Sequence, residues 1–343
     1  MKRTVNFAII GCGMISRFHI KAIQAIDDAK LVGVYDQFSE FSQKTAREYQ
    51  TKAYDTYESL LADRKIDAVS ICTPSGLHAE QSLQAIQAGK HVLIEKPIAL
   101  CLEDSDKISA LAREKGVLVG VVSQLRFSRA VKTMKQAIQE GVLGKIVSAD
   151  LYMKYFRSQQ YYDQNPWRGT WAMDGGGALM NQGIHGVDLL RYIMGPLKSI
   201  SACAGTLTRH IEVEDTLAAV VEYANGALGV IQAMTSVYPG YPRRLEINGE
   251  RGTIILEEDT LVKWAVEGQP SCVKDEDATR RKSHNDPGEI GVDGHIEQYK
   301  NFISAVQGDA ALLIDDLEGR KTLEIIMKAY ESSRQKKTVY FNE

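Results

Sequence analysis

The sequence is short of most features that would classify it at a glance. It has no apolar run near the ~18 residues of a membrane span, and its 5 cysteines include no CxxC pair. An odd number of widely separated thiols (Cys12, Cys72, Cys101, Cys203, Cys272) indicates neither a disulfide framework nor a thiolate metal site, and reads as reduced cytosolic cysteine. Neither sign of charge prevails. Lys plus Arg total 41 against 44 for Asp plus Glu, a net charge of −3, so there is no global basic field to hold nucleic acid or anionic membrane. Met1-Lys2-Arg3 and the apolar residues after it imitate a secretion signal, but Asn6 interrupts the run before an h-region of about 7 to 15 residues is reached. No HExxH and no clustered His, Cys and carboxylate spacing marks a metal. The expectation is a cytoplasmic protein with a small-molecule partner and no metal, nucleic acid or membrane.

The 343 residues, 44% hydrophobic and 25% charged, suit roughly two globular domains. The first third alternates short apolar runs with amphipathic segments, the pattern of a parallel sheet built from βαβ units. Candidate strands end at Ile10, Asp36, Thr73, Glu95 and Val122, with crossover helices over 77–88 and 104–115. From about Gly144 the texture changes: 145–155, 216–223, 227–234 and 244–248 alternate or are β-branched, with turn pairs Asn225-Gly226, Asn248-Gly249 and Arg251-Gly252 among them. A helix follows Asp174, a plausible N-cap or its neighbour, and runs to about Met194. Helices over 295–306 and 317–333 close the chain, after a charged segment, 273–288, that reads as an exposed loop. The fold class is therefore α/β: a doubly wound parallel sheet in residues 1–123, then an α+β domain with a large open mixed or antiparallel sheet in 124–343.

The strongest local signal is Gly11-Cys12-Gly13-Met14-Ile15-Ser16, set between a strand and a helix, with Asp36 closing the next strand. Gly11 and Gly13 allow a tight turn and let backbone N–H groups approach a pyrophosphate at the helix N-terminus. Asp36 is in range of an adenine ribose, and its carboxylate repels a 2′-phosphate, which favours NAD over NADP. Ser16 stands where a third glycine is usual, a change affecting helix–strand packing more than phosphate contact.

Further along, CTPSGLH (72–78), EKP (95–97) and NQGIHGVD (181–188) appear in order. Together with GCGMIS they make the chain resemble the Gfo/Idh/MocA family of nicotinamide-dependent sugar and cyclitol oxidoreductases, over essentially its whole length. The resemblance implies a Rossmann domain, an open C-terminal sheet and homodimers or homotetramers joined through that sheet. It makes Lys96 and His185 the proton-transfer pair. Chemistry agrees, since oxidising a secondary alcohol needs a base near neutral pH and a group that stabilises developing alkoxide. Either residue could take the proton. The resemblance also puts Thr73, Pro74, Ser75 and His78 along the cofactor groove, Glu95 on the nicotinamide ribose, and Gln124 and Arg126 near nicotinamide and substrate. Met14 and Ile15 join the glycine turn as cofactor contacts. Trp167 and Arg168 resemble a segment that closes over the cofactor, with sheet or interface packing as the alternative. The Lys96-Pro97 bond is expected to be cis.

Asn181, His185 and Asp188, at i, i+4 and i+7, would share one helix face. Many family members carry Asp where this chain has Asn181, so Asn181 reads as a hydrogen-bonding partner of a substrate hydroxyl. Asp188 either orients His185 or serves capping or pairing with Arg191. Tyr155 to Trp171 and Tyr238 to Arg244 combine aromatics, among them Tyr155 and Tyr238, with Lys154, Arg157, Arg168, Arg243 and Arg244. Aromatic faces suit a sugar or uracil ring and guanidinium forks suit carboxylate or pyrophosphate, so substrates range from a UDP-linked uronate to free sugars, glycosides and cyclitols. Two further readings stay open: a redox-cycling glycosidase or sugar oxidoreductase that retains its NAD, and a non-catalytic NAD(H)-binding sensor.

Overall fold

The β-branched and apolar runs of the first third form six strands: β1 (Val5–Ile10), β2 (Ala29–Tyr35), β3 (Lys52–Ala53), β4 (Ala68–Ile71), β5 (His91–Ile94) and β6 (Val119–Val121). In the computed structural model they make one sheet in the order β3-β2-β1-β4-β5-β6, and its pairings are parallel. The five expected strand ends hold to within two residues. The structure describes residues 3–273 and 291–341. Of the loop expected at 273–288, all but Val273 lies outside the described residues.

Two compact units divide the chain, Met1–Gln124 with Gly291–Leu323, and Leu125–Ile290 with Glu324–Glu343. The expected cut at 123/124 thus falls one residue later, and a C-terminal stretch returns to the first unit. Packing and hydrogen bonds explain the return. The helix Asp293–Val306 buries Tyr299, Phe302 and Ile303 against Phe7, Ile9, Leu93 and Val122, with the Tyr299 ring edge-on to Phe7 at 5.3 Å. Its Gln298 side chain donates to the Val121 carbonyl (2.7 Å) and accepts from the Ser123 amide (3.1 Å). These bonds satisfy backbone groups at and just beyond the end of a short sheet strand.

The second unit carries β7 (Ile146–Lys154), β8 (Leu197–Gly205), β9 (Thr216–Tyr223), β10 (Leu228–Met234), β11 (Arg244–Gly249), β12 (Gly252–Glu257), β13 (Thr260–Val266) and β14 (Val339–Tyr340). They form an eight-stranded sheet, β13-β12-β11-β7-β10-β9-β8-β14. Only the β10–β7 pairing is parallel, so the sheet is mixed, as the alternating sequence implied. Alternation also sorts its faces. Leu151, Met153, Leu217, Val221 and Ile231 are buried, while Val220 and Leu228 on intervening positions are exposed. The helix Ile184–Met194 lies against β7, closely enough that a Cβ on Gly186 would stand 2.7 Å from the Met153 sulfur. No helix among the described residues is long and apolar enough to cross a membrane.

One expected element differs. The segment after Asp174 is not a single α-helix: Ala178–Gly183 winds as a π-helix, and the α-helix starts only at Ile184. Nor is Asp174 the cap. Glu214, from the segment before β9, accepts from the amides of Gly177 (2.8 Å) and Leu179 (2.9 Å), while its carbonyl accepts from Ala178 (2.9 Å). A buried carboxylate at a helix N-terminus satisfies orphan donors, and Tyr330 OH donates to the same carboxylate at 2.8 Å. Gly177 makes this possible, because a Cβ there would sit 1.7 Å from the Glu214 carbonyl oxygen. Gly177→Ala is therefore expected to destabilise the protein by about 2 kcal/mol or more, read as a lowered urea midpoint. An unchanged midpoint would mean that the π-helical segment can leave Glu214 at little cost.

Candidate functional site: the cofactor edge and the His185 helix

The carboxyl ends of β1, β4 and β5 build the cofactor edge of the first unit, where an open α/β sheet receives its ligands. Gly11 turns with φ +89°, its amide bonded to the Tyr35 carbonyl at 2.8 Å. A Cβ there would meet the Cys72 carbonyl carbon at 2.8 Å, so only glycine fits. At Gly13, by contrast, a Cβ would meet nothing within 4 Å. The glycine therefore serves no internal packing need, as expected where backbone must meet a phosphate. Met14 is exposed and Ile15 half-buried at the start of the helix Ser16–Gln24, and Ser16 Oγ donates to the Gly13 carbonyl at 2.6 Å. Asp36 accepts from the Cys12 amide through one oxygen (2.8 Å) and from the Phe38 amide through the other (2.9 Å). Each carboxylate oxygen keeps a second lone pair for a ribose hydroxyl. Burial pushes the Cys12 thiol up to about 12, so it is neutral and unreactive. The donor set and the glycine cradle fit NAD.

Thr73, Pro74 and Ser75 are half-buried at the end of β4, with Thr73 Oγ1 donating to Gln81 Oε1 at 2.7 Å. His78, expected in the groove, is instead 1% exposed. Its ring nitrogens face the Pro97 carbonyl (2.6 Å) and the Thr73 carbonyl (2.9 Å), fastening one loop to the other. Burial holds its pKa below the ordinary value although both carbonyls oppose this. Lys96 follows β5, half-buried, and the Lys96-Pro97 bond is cis. Glu95, expected on a ribose, is buried too. One oxygen faces His19 Nε2 (2.9 Å) and the other accepts from the Lys96 amide (3.2 Å). Burial pushes its carboxyl up, but the hydrogen bond and charge of His19, with Lys96 and His295, outweigh that and hold it at about 2. Gln124 is buried with its Oε1 lacking a partner among the described residues.

In the second unit Asn181 and His185 are half-buried. Asn181 lies in the π-helical turn, whose wider winding shifts it from the α-helical phase assumed for a shared face. Asn181 Nδ2 donates to Asp174 at 2.7 Å, and the other Asp174 oxygen accepts from the Gly169 amide at 2.7 Å. Asp174 thus ties the loop carrying Trp167 and Arg168 to Asn181. Asp188 turns inward to Arg126, which donates Nε (2.8 Å) and Nη2 (2.6 Å) to its two oxygens. Both are nearly fully buried, so Arg126 is a core partner of the His185 helix rather than a substrate contact, and Arg191 is not the group that takes Asp188's two oxygens in this pairing. Arg168 half-buries its guanidinium over the rings of Tyr161 (4.1 Å) and Trp167 (5.3 Å). Tyr155 is buried with its hydroxyl on Glu258 (3.4 Å), whereas Tyr238 is exposed and packs edge-on to Phe156.

Several functional-looking residues escaped the sequence reading. His19, Tyr299 and His295 surround Glu95, and atoms of His19, Glu95 and His295 lie within 4.8 Å of one another. Both His19 nitrogens are engaged, by Tyr299 OH (2.8 Å) and Glu95 (2.9 Å), which makes this a hydrogen-bonded network. His19 sits three residues after Ser16 in the glycine motif, a signal that was available. Glu214 and His295 had none, because their partners are distant in sequence.

Residues 5–123 match the model of an oxidoreductase family with an NAD-binding Rossmann fold, and 131–255 match the GFO/IDH/MocA C-terminal domain. The chain is 27% identical to a myo-inositol 2-dehydrogenase of Thermotoga maritima, covering 99% of each. It is 30% identical to a 1,5-anhydro-D-fructose reductase of Ensifer adhaerens over 73% of this chain and 75% of the other. Among solved structures it is similar to the WlbA dehydrogenase of Bordetella pertussis, crystallised with NADH and UDP-GlcNAcA, with 33% identity, 99% of each chain covered and a TM-score of 0.90. The cofactor edge, the two-part fold and these likenesses agree: the chain belongs to the Gfo/Idh/MocA family of NAD-binding oxidoreductases and is an NAD-dependent dehydrogenase.

Proposed function

We propose that the protein oxidises a ring secondary alcohol of a carbohydrate or cyclitol, with Lys96 and His185 as its proton-transfer and alkoxide-stabilising pair. The observation that carries this reading is that both positions are filled, Lys96 just after β5 and before a cis bond to Pro97, and His185 on a helix held by a buried ion pair. NAD, when bound, accepts the hydride from the carbinol carbon. The chain supplies the rest. Imidazole, with an ordinary pKa of about 6.5, is suited to accept the hydroxyl proton, and an ammonium beside the same oxygen stabilises the negative charge that develops. Asn181, tied to Asp174, is suited to hold a ring hydroxyl. The full-length likeness to a dehydrogenase crystallised with UDP-GlcNAcA favours a sugar nucleotide over a free sugar or cyclitol. The exposed Val220 and Leu228 on one face of the second sheet support self-association through that face as a homodimer or homotetramer. A cytoplasmic location fits the free thiols.

Lys96→Met and His185→Ala are each expected to lower kcat by about 100-fold or more while leaving NAD affinity nearly unchanged. Steady-state kinetics beside an NAD titration checks this, and a parallel loss of NAD binding would instead assign a structural role. Asp36→Ala should weaken NAD and relax discrimination against NADP, and because Asp36 also holds the Cys12 amide, NADP should bind less well than a simple specificity switch would give. A wild-type preference for NADP would end the Asp36 reading. The broadest test is anaerobic mixing of protein and stoichiometric NAD with inositols, free sugars, glycosides, uronates and UDP-sugars, followed by reduced-nicotinamide absorbance. Signal with a UDP-uronate is expected, and free NADH in the filtrate separates a dehydrogenase from a retained-cofactor cycle. Silence across the panel with NAD bound would favour that closed cycle or a sensor.

A further inference from the structure

Three side chains from distant segments converge in the interior of the first unit. His19, Glu95 and His295 are all buried, and each offers a ligand atom within 4.8 Å of the other two. They come from the helix Ser16–Gln24, the residue after β5 and the returning helix Asp293–Val306. His19 and Glu95 already bond to each other, but His295 is anomalous. It is 1% exposed, and neither ring nitrogen has a hydrogen-bond partner among the described residues. The Gly291 backbone is beside the ring but completes no such bond. The ring stands edge-on to His19, centroids 5.5 Å apart, and stacks on Phe18 at 5.8 Å. Burying an imidazole with both nitrogens unused is costly, and an apolar side chain would fill the same space without that cost. A group that takes up a nitrogen lone pair removes the penalty.

The surroundings of His295 have the form of a metal site. Two imidazoles and one carboxylate are the donor set of three-ligand zinc centres, which leave a further position open. Metal-bound histidines usually donate their other N–H to a fixed acceptor that orients the ring. His19 has this support, since its Nδ1 lies 2.8 Å from Tyr299 OH, which lies 2.5 Å from Ser70 Oγ. Either hydroxyl of that second bond can be the donor. The chain can therefore run outward from Nδ1–H and leave the Nε2 lone pair, which faces Glu95 at 2.9 Å, for a cation. The second Glu95 oxygen stays on the Lys96 amide at 3.2 Å. Tetrahedral zinc sets nitrogen and oxygen ligands about 3.3 Å apart, so on binding His19 and Glu95 open slightly and His295 closes on them.

We propose that His19, Glu95 and His295 bind a divalent first-row transition ion of the zinc class, which clasps the returning helix to the helix of the glycine turn. No local spacing announces the site, because His19 and Glu95 lie 76 positions apart and His295 sits near the other end of the chain. It is independent of which alcohol is oxidised.

The test uses the full-length protein, stripped of metal with a chelator, desalted and equilibrated overnight with one equivalent of Zn2+ or Co2+. Wild type should retain about one zinc per chain through a second desalting, read by elemental mass spectrometry. In excess Zn2+ its thermal midpoint should rise by about 5 °C or more, and Co2+ should give the strong visible bands of a four-coordinate ion. His295→Leu should lose the retained metal, the shift and the bands. Without metal its midpoint should match or exceed that of wild type, because the variant removes unpartnered polar atoms. His295→Phe, which keeps a ring beside Phe18, serves if the leucine variant does not fold. The proposal is overturned if wild type retains no zinc, or if the His295 variant retains as much, which would assign the metal to exposed thiols such as Cys203 and Cys272.

Discussion

A carboxylate buried at the end of β5 is the constraint on which much of the first unit depends. Glu95 can be ionised there only while His19 and the Lys96 amide stay in reach, because an unpaired buried charge costs several kcal/mol. His19 belongs to the helix that opens from the glycine turn, so the same bond that stabilises the anion sets where that helix begins. Tyr299 fastens the other side of His19, which makes a segment almost 300 residues along the chain part of the nucleotide-binding unit. The phosphate turn, the EKP turn and the returning helix are thereby coupled through one ring and one carboxyl group.

The second unit solves its own ordering problem with the same device. Glu214 gathers the amides of Gly177 and Leu179, Asp174 those of Gly169 and the Asn181 side chain, and Asp215 those of Leu207, Thr208 and Arg209. Irregular backbone near a site has no helix or sheet ladder to satisfy its N–H groups. A carboxylate with several lone pairs can satisfy two or three at once. That is why so many acids here act on the backbone. The π-helical turn that carries Asn181 survives because its start is held in this way from another segment.

What the sequence disclosed and what it hid divide along the same line. Period-two and βαβ patterning, the glycine turn and the turn dipeptides are local, and they predicted the strands, the parallel sheet and the mixed sheet closely. Although the clash that requires Gly11 comes from the distant Cys72 backbone and Gly13 meets no clash at all, both were legible from the local motif. Arg126 was not. Its partner Asp188 is 62 positions away, so an arginine beside a domain crossing looked like a ligand contact. His78 and Glu95, expected to face the cofactor, turn inward, since the motif gives position and not the direction of a side chain. The π-helix went unread because ALMNQG has no pattern distinguishing it from an ordinary helical turn.

The arginines of the second unit differ in what they already hold. Arg243 is buried with its Nη2 on the Glu258 carbonyl (2.8 Å) and an ion pair to the Glu258 carboxylate (3.3 Å). Arg244 pairs with Glu246 and Glu257. Moving Arg243 to a substrate carboxylate would strand Glu258 in the interior, at a cost of about 3–5 kcal/mol. A solvated uronate or pyrophosphate arriving from water has its own dehydration to offset and does not repay that exchange. Arg168 carries no such debt. It stacks on Tyr161 and Trp167 and donates to a backbone carbonyl rather than to a buried acid, so moving its guanidinium would strand no buried carboxylate.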